Sequence, residues 1–311
     1  MANGNTVFFG TAAVGLPFLE ILRQHTRLRL IVTQPDARGG RNRRALEPPV
    51  KTFADTHGIP CAQPEVLRCK ETEALIRGAA PDLAVVVAYG RYIPRSIAGI
   101  PVKSTVNAHF SLLPRWRGAA PVQRCLEAGE SRTGVTLFEI RPRMDSGPVW
   151  AQCRVDVAPD ETAPQLFERL SARGAELLTA SLPRILAGRD TPLPQDHDQA
   201  TQAPPLRKEE GRIDWTLPAL EIYNRWRAFQ PWPGVFFFLD DQPVKVLACR
   251  PGADSAADET PGTVLETSTR RMHVACGAGS TLEVIRIQPS CKRPMTPHCF
   301  SLGNALPKRL P

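Results

Sequence analysis

The sequence predicts an α/β fold: a mostly parallel sheet covered by helices, followed by a smaller all-β domain. Three observations carry this expectation. Strongly apolar short runs alternate with segments of helical period up to about residue 188, as in βα proteins. Residues 190–208 then hold Pro192, Pro194, Pro204 and Pro205 among polar side chains, with neither period 2 nor period 3.6. Beyond them, short β-rich segments follow one another between turn residues. The expected organisation is a domain at 1–189, a linker at 190–208 and a domain at 209–311. A chain of 311 residues suits two domains at about 150 residues each.

Taken in order, Thr6-Val7-Phe8-Phe9 is an apolar run ending in Gly10, and residues 16–23 space apolar side chains helically. That reads as strand, tight turn, helix. Residues 28–33 read as a strand, 49–57 as a helix, and 82–88 and 105–110 as further strands. Residues 118–128 look helical, and 134–140 and 149–157 look like strands. Thr162-Ala163-Pro164-Gln165 is a capping-box sequence ahead of Leu166, Leu170 and Leu177. After the Pro-rich stretch, 217–229 reads as a helix. Segments 235–239, 244–249, 262–265, 272–275 and 281–287 read as short strands of a sandwich or barrel.

Composition narrows the function classes. A hydrophobic content of 42% with 23% charged residues argues for a packed core and against disorder, and no apolar run reaches the roughly 20 residues of a membrane span. The amino terminus carries no basic, apolar and small-residue succession of a secretory signal, so a cytoplasmic address is expected. The eight cysteines are scattered and read as free thiols. Neither C-x-x-C nor H-x-x-x-H occurs, so no metal is expected. Lys and Arg total 39 against 31 Asp and Glu, and the net charge of +8 favours a polyanionic partner. The densest basic cluster is Arg38, Arg41, Arg43 and Arg44, in a stretch without acids. By itself, a solvated loop explains that cluster equally well.

Asn107 and His109 lie two apart on an expected strand, so their side chains point the same way. They fall at its carboxyl end, where open α/β sheets bind ligands. An amide donor beside an imidazole suits an acyl transfer that must stabilise an oxyanion and move a proton. An isolated N-x-H fits a structural histidine just as well. Asp145, in Arg143-Met144-Asp145-Ser146-Gly147, follows the strand at 134–140 and brings a carboxylate to the same sheet edge, although Asp-Ser-Gly is also good turn chemistry. Gly10-Thr11-Ala12-Ala13-Val14-Gly15 departs from G-x-G-x-x-G and no acid closes the next strand, so dinucleotide binding is not expected.

Five segments together point further. Thr33-Gln34-Pro35-Asp36, Val86-Val87-Ala88-Tyr89-Gly90, the run from Ser111 through Arg115-Trp116-Arg117-Gly118 to Pro121, Gly211-Arg212-Ile213-Asp214-Trp215 and Pro231-Trp232-Pro233-Gly234 span nearly the whole chain. On them the sequence resembles the methionyl-tRNA formyltransferase family, within the wider group of enzymes that use 10-formyltetrahydrofolate. The resemblance implies a Rossmann-like formyltransferase domain and a C-terminal OB-fold-like β-barrel. It implies transfer of a formyl group from 10-formyltetrahydrofolate to the α-amino group of methionyl-initiator tRNA, without a metal and by a monomer.

Asn107, His109 and Asp145 fall on the family's catalytic Asn, His and Asp. The resemblance makes Asn107 and protonated His109 the oxyanion donors, with Asp145 orienting the imidazole and helping to move the proton. Ser111, Leu112, Leu113 and Pro114 fall on its folate contacts, and Arg38, Arg41, Arg43 and Arg44 on a basic loop that grips the acceptor stem. Phe110 stands where the family often has Gly or Pro, and is expected to reshape the folate pocket slightly. Formyltransferases acting on amino-sugar nucleotides or on glycinamide ribonucleotide would share the three polar residues, but not the Arg115–Pro121 run, the arginine loop or the second domain. A tRNA-binding protein without catalysis would not need the three.

Overall fold

Near-continuous apolar strands dictate where the first sheet lies. The computed structural model describes residues 4–39, 44–188, 190–253, 255–268, 271–304 and 306–311. The first sheet is built from β1 (Asn5–Gly10), β2 (Arg27–Val32), β5 (Cys61–Ala62), β6 (Leu83–Val87), β7 (Ser104–His109), β8 (Arg132–Glu139) and β9 (Val149–Asp156). A separate hairpin, β3 (Ala37–Gly39) and β4 (Arg44–Leu46), follows β2. The sheet order is β5-β2-β1-β6-β7-β8-β9, parallel from β5 through β7 and antiparallel for β8 and β9. Every residue of β6, and all of β1 beyond Asn5, is at least half-buried with most fully enclosed, as strands covered on both faces must be.

Alternation divides the core between the faces. Val7, Phe9, Leu30, Val32, Ala84 and Val86 cluster on one face with Ile76 of α3 (Lys70–Gly78) and Ile97 of α4 (Arg95–Ala98). The other helices before residue 190 are α1 (Leu16–His25), α2 (Pro49–His57), α5 (Pro121–Glu127) and α6 (Ala163–Ala187). At the start of α6 one half of the expected capping box is present: Gln165 Oε1 accepts from the Thr162 backbone N (2.9 Å), and also from the Thr162 hydroxyl (2.8 Å). At the far end Gly188, with φ +63°, adopts the left-handed turn that stops the helix. The helix expected from residue 118 begins only at Pro121, because Gly118 sits at φ +127° with Ala203 O so close that a Cβ would meet it at 2.5 Å.

The chain divides into two compact units: Met1–Pro121 with Arg132–Asp156 and Leu166–Ala203, and Val122–Ser131 with Val157–Gln165 and Pro204–Pro311. Most of the Pro-rich stretch therefore belongs to the first unit. The second contains α7 (Ala219–Ala228), β10 (Val235–Leu239), β11 (Gln242–Pro251), β12 (Val264–Thr267), β13 (Met272–Ala275), β14 (Thr281–Pro289) and α8 (Pro297–Ser301). Its sheet, in the order β10-β11-β14-β13-β12, is antiparallel throughout. Along β10, Val235, Phe237 and Leu239 are buried while Phe236 and Phe238 are half-buried, the period-2 pattern of a sheet with one enclosed face. Single bridges touch each side of this sheet, Arg212 beside Phe236 of β10 and Arg309 beside Thr263 just before β12. Among the described residues no helix is long and apolar enough to cross a membrane.

Candidate active site

The carboxyl end of β7 carries the polar pair that the sequence places there. Asn107 pairs with Val86 of β6 and Phe138 of β8, and His109 with Thr136 of β8, so the two side chains share one face of a central strand. His109 is 6% exposed, its ring edge-on to Phe138 at 6.3 Å between centroids. Its Nε2 lies 2.8 Å from the Trp116 carbonyl. A carbonyl can only accept, so Nε2 carries the hydrogen and Nδ1 is the nitrogen left for chemistry. Nδ1 faces Asp145 Oδ2 at 3.7 Å, which is ion-pair range without a direct hydrogen bond. The side chain of Asn107 is half-buried and takes no hydrogen-bond partner among the described residues.

Asp145 is held in an unusual backbone conformation. Its φ is +49°, in the left-handed region that costs a non-glycine residue roughly 1 kcal/mol or more and persists only where surroundings enforce it. Gly118 N donates to its Oδ2 at 2.8 Å. Two residues on, Gly147 runs so close to β8 that a Cβ would lie 1.7 Å from Glu139 O. The Asp-Ser-Gly sequence is therefore a real turn as well as a carboxylate carrier.

The loop after β7 is pinned from below. Thr136 Oγ1 donates to Ser111 O (2.6 Å) and accepts from Leu113 N (3.1 Å), while Gln152 Nε2 donates to Leu113 O (2.7 Å) and to Thr136 Oγ1 (2.9 Å). Ser111 is fully buried and its hydroxyl donates to Arg115 O at 2.7 Å. Leu113 is buried too, and Leu112 and Pro114 are the half-exposed members of the four. Phe110 packs between Phe18 and Phe167, with centroids at 6.4 and 5.8 Å, and so belongs to an aromatic core cluster.

Residues of the Pro-rich stretch, expected as linker, line this loop instead. Arg117 is 2% exposed, and its Nε (3.2 Å) and Nη2 (2.6 Å) donate to Gln195 Oε1, with Nη2 also donating to His197 Nδ1 (2.9 Å). Burial first, then the Arg143 guanidinium, pulls the Arg117 pKa below its ordinary value, and Asp145 opposes them. Thr201 accepts from Trp116 N through its hydroxyl (2.9 Å) and from Arg117 N through its carbonyl (2.9 Å). Thr136, Gln152, Gln195 and Thr201 were not singled out in the sequence. The one available signal was the hydroxyl of Thr136 inside the apolar run Val135-Thr136-Leu137-Phe138.

Thr33-Gln34-Pro35-Asp36 has a structural explanation. Gln34 Nε2 (2.6 Å) and Thr11 Oγ1 (3.0 Å) donate to Tyr89 O, steadying a turn in which Ala88 and Gly90 both have positive φ. Gln63 donates to Asp36 Oδ1 at 2.7 Å, and that hydrogen bond, with Lys51 adding to it against desolvation, holds the Asp36 carboxyl below the usual range. In the arginine cluster, Arg38 pairs through its backbone with Ala45, and Arg44 with Gly39. Arg41 and Arg43 lie outside the described residues. Among the described residues no group of three or more His, Cys, Asp or Glu side chains is placed to hold a metal ion.

Comparison with known proteins is decisive about kinship. The formyl transferase family model matches residues 6–182, and the model of the formyl transferase C-terminal domain matches 205–304. The methionyl-tRNA formyltransferase of Halorhodospira halophila is 44% identical over 301 residues, covering 96% of each chain. That of Myxococcus xanthus is 40% identical over 306 residues, covering 98% of this chain and 97% of its own. The solved methionyl-tRNA formyltransferase from Clostridium thermocellum superposes with a TM-score of 0.56 at 16% identity, over 82% of this chain and 94% of that one, which speaks for the fold. The chain belongs to the methionyl-tRNA formyltransferase family.

Proposed function

We infer that this protein transfers a formyl group from 10-formyltetrahydrofolate to the α-amino group of methionyl-initiator tRNA. It does so as a cytoplasmic monomer that needs no metal. The observation that carries this reading is the convergence at the end of β7 of the unpartnered amide of Asn107, the Nδ1 side of His109 and the carboxylate of Asp145.

Asn107 donates its amide hydrogen to the oxygen of the formyl carbon as that carbon becomes tetrahedral and its oxygen negative, the interaction that acyl transfer most needs. The His109 imidazolium, fixed by Trp116 O, adds positive charge and a donor at Nδ1. Asp145, beside that Nδ1, accepts the proton released by the attacking amine. It returns the proton to the folate nitrogen as its bond to the formyl carbon breaks, so one C–N bond forms, one breaks and one proton is handed across. Leu112 and Pro114, the half-exposed members of the pinned loop, contact the folate, and buried Ser111 and Leu113 hold that loop's shape. Arg38, Arg41, Arg43 and Arg44 neutralise acceptor-stem phosphates.

The test mixes protein, methionine-charged initiator tRNA and 10-formyltetrahydrofolate, and measures N-formylmethionine after ester hydrolysis, with an amino-sugar nucleotide as a parallel acceptor. Formylmethionine is the expected product. Formylation of the amino sugar alone would overturn the acceptor assignment.

A further inference from the structure

We propose that Gln195 is a positioning residue for Asp145, so that the stretch at 190–203 is part of the reaction machinery of the first unit. The proposal rests on the catalytic role assigned to Asp145 above. Gln195 is 8% exposed and uses both ends of its amide. Nε2 donates to the carbonyls of Asp145 (2.9 Å) and Gly147 (2.6 Å), so one side-chain amide spans the turn on both sides of Ser146. Oε1 accepts two hydrogen bonds from the Arg117 guanidinium. The chemistry fixes this orientation, because a flipped amide would set its NH2 against a cation and its oxygen against two carbonyls.

The consequence is that one side chain controls Asp145 from two directions. Through Nε2 it holds the backbone that carries Asp145 at φ +49°. Through Oε1 it holds Arg117, the neighbour of Gly118, whose N–H grips the Asp145 carboxylate. The same stretch fixes the main chain of Arg117, whose N donates to Thr201 O (2.9 Å) and whose O accepts from Ala203 N (2.7 Å). A buried guanidinium whose side-chain hydrogen bonds go to Gln195 Oε1 and His197 Nδ1, with Nη1 unpaired, leans on that amide oxygen for its place. Loss of the Gln195 amide would let the turn and the carboxylate drift, and a misplacement of about 1 Å can cost on the order of 100-fold in rate.

The experiment uses Gln195→Glu, which keeps the oxygen facing Arg117 and puts a second oxygen against the Asp145 and Gly147 carbonyls. Gln195→Ala is the companion that adds no charge. In both, kcat is expected to fall at least about tenfold, with KM for either substrate within about twofold. In an Asp145→Asn background the same substitution is expected to change kcat less than about twofold, since it acts through a group already disabled. Equal losses in the two backgrounds, an unchanged kcat, or unfolding of both variants would overturn the proposal. Amide hydrogen exchange at Gly118 supplies a readout independent of activity, with protection expected to drop in Gln195→Glu while that of β1 and β6 stays. Unchanged Gly118 protection would defeat the positioning role, whereas an inactive wild type would defeat only the assigned reaction.

Discussion

At His109 the hydrogen bond to Trp116 O spends Nε2 on structure, and Nδ1, facing Asp145, is what remains for the reaction. Two substitutions separate the roles. Asp145→Asn keeps an oxygen for Gly118 N and removes the charge, so kcat is expected to fall about 100-fold or more with little change in melting temperature. Asn107→Ala removes the proposed oxyanion donor and is expected to cost about 100- to 1000-fold in kcat, measured on protein shown by circular dichroism to be folded. The Asn107–His109 pair was legible because strand period alone puts residues two apart on one face. The commitment of Nε2 was not, since Trp116 reaches His109 only through a loop with Trp116 at φ +61°. Gln195 was invisible for a related reason. Its partners lie 48 to 78 residues away in the chain, and a polar side chain in a Pro-rich stretch carries no period.

Among the elements, β8 shows how one hydroxyl organises a loop. Thr136→Val keeps the shape and strips hydrogen bonds from Ser111 O and Leu113 N, each buried, so a loss of about 2 kcal/mol in stability is expected by denaturant titration. KM for the folate should rise as the loop loosens. In the second unit Glu283 of β14 accepts from Arg250 of β11 (2.7 Å) and from Arg271 beside β13 (2.9 Å), joining three strands. Burial of Glu283 works against its charge, but the two guanidinium groups outweigh it and its pKa is lowered. A depressed carboxylate contributes stability above its unfolded pKa near 4.3 and loses it as pH falls through the lower folded value. Glu283→Gln is therefore expected to cost about 1–2 kcal/mol at pH 7 and progressively less below about pH 4, read from melting curves across pH. Strands such as β1 and β6 were legible because burial on both faces demands an unbroken apolar run. The start of α5 was not, because Gly118 is committed to a close approach to Ala203 that no local pattern records.

For the whole molecule, with a net charge of +8, the four arginines after β2 are the expected contact with tRNA, and two of them, Arg38 and Arg44, pair within the β3–β4 ladder. Replacing Arg38, Arg41, Arg43 and Arg44 by Gln is expected to raise KM for tRNA, leave KM for folate unchanged, and flatten the slope of log affinity against log salt by up to about 3. An unchanged slope would return those arginines to surface solvation. The succession of a parallel-sheet unit and an antiparallel one was legible from the change in segment length and spacing near residue 200. The inclusion of 122–131 and 157–165 in the second unit was not, because both look locally like any other part of the first domain. The most direct measurement of the whole account is single-turnover formylation of methionyl-initiator tRNA by saturating protein and 10-formyltetrahydrofolate, with wild type and Asp145→Asn side by side. A wild-type rate at least about 100-fold above that of the variant is expected, and equal rates, or no formylmethionine from the wild type, would contradict it.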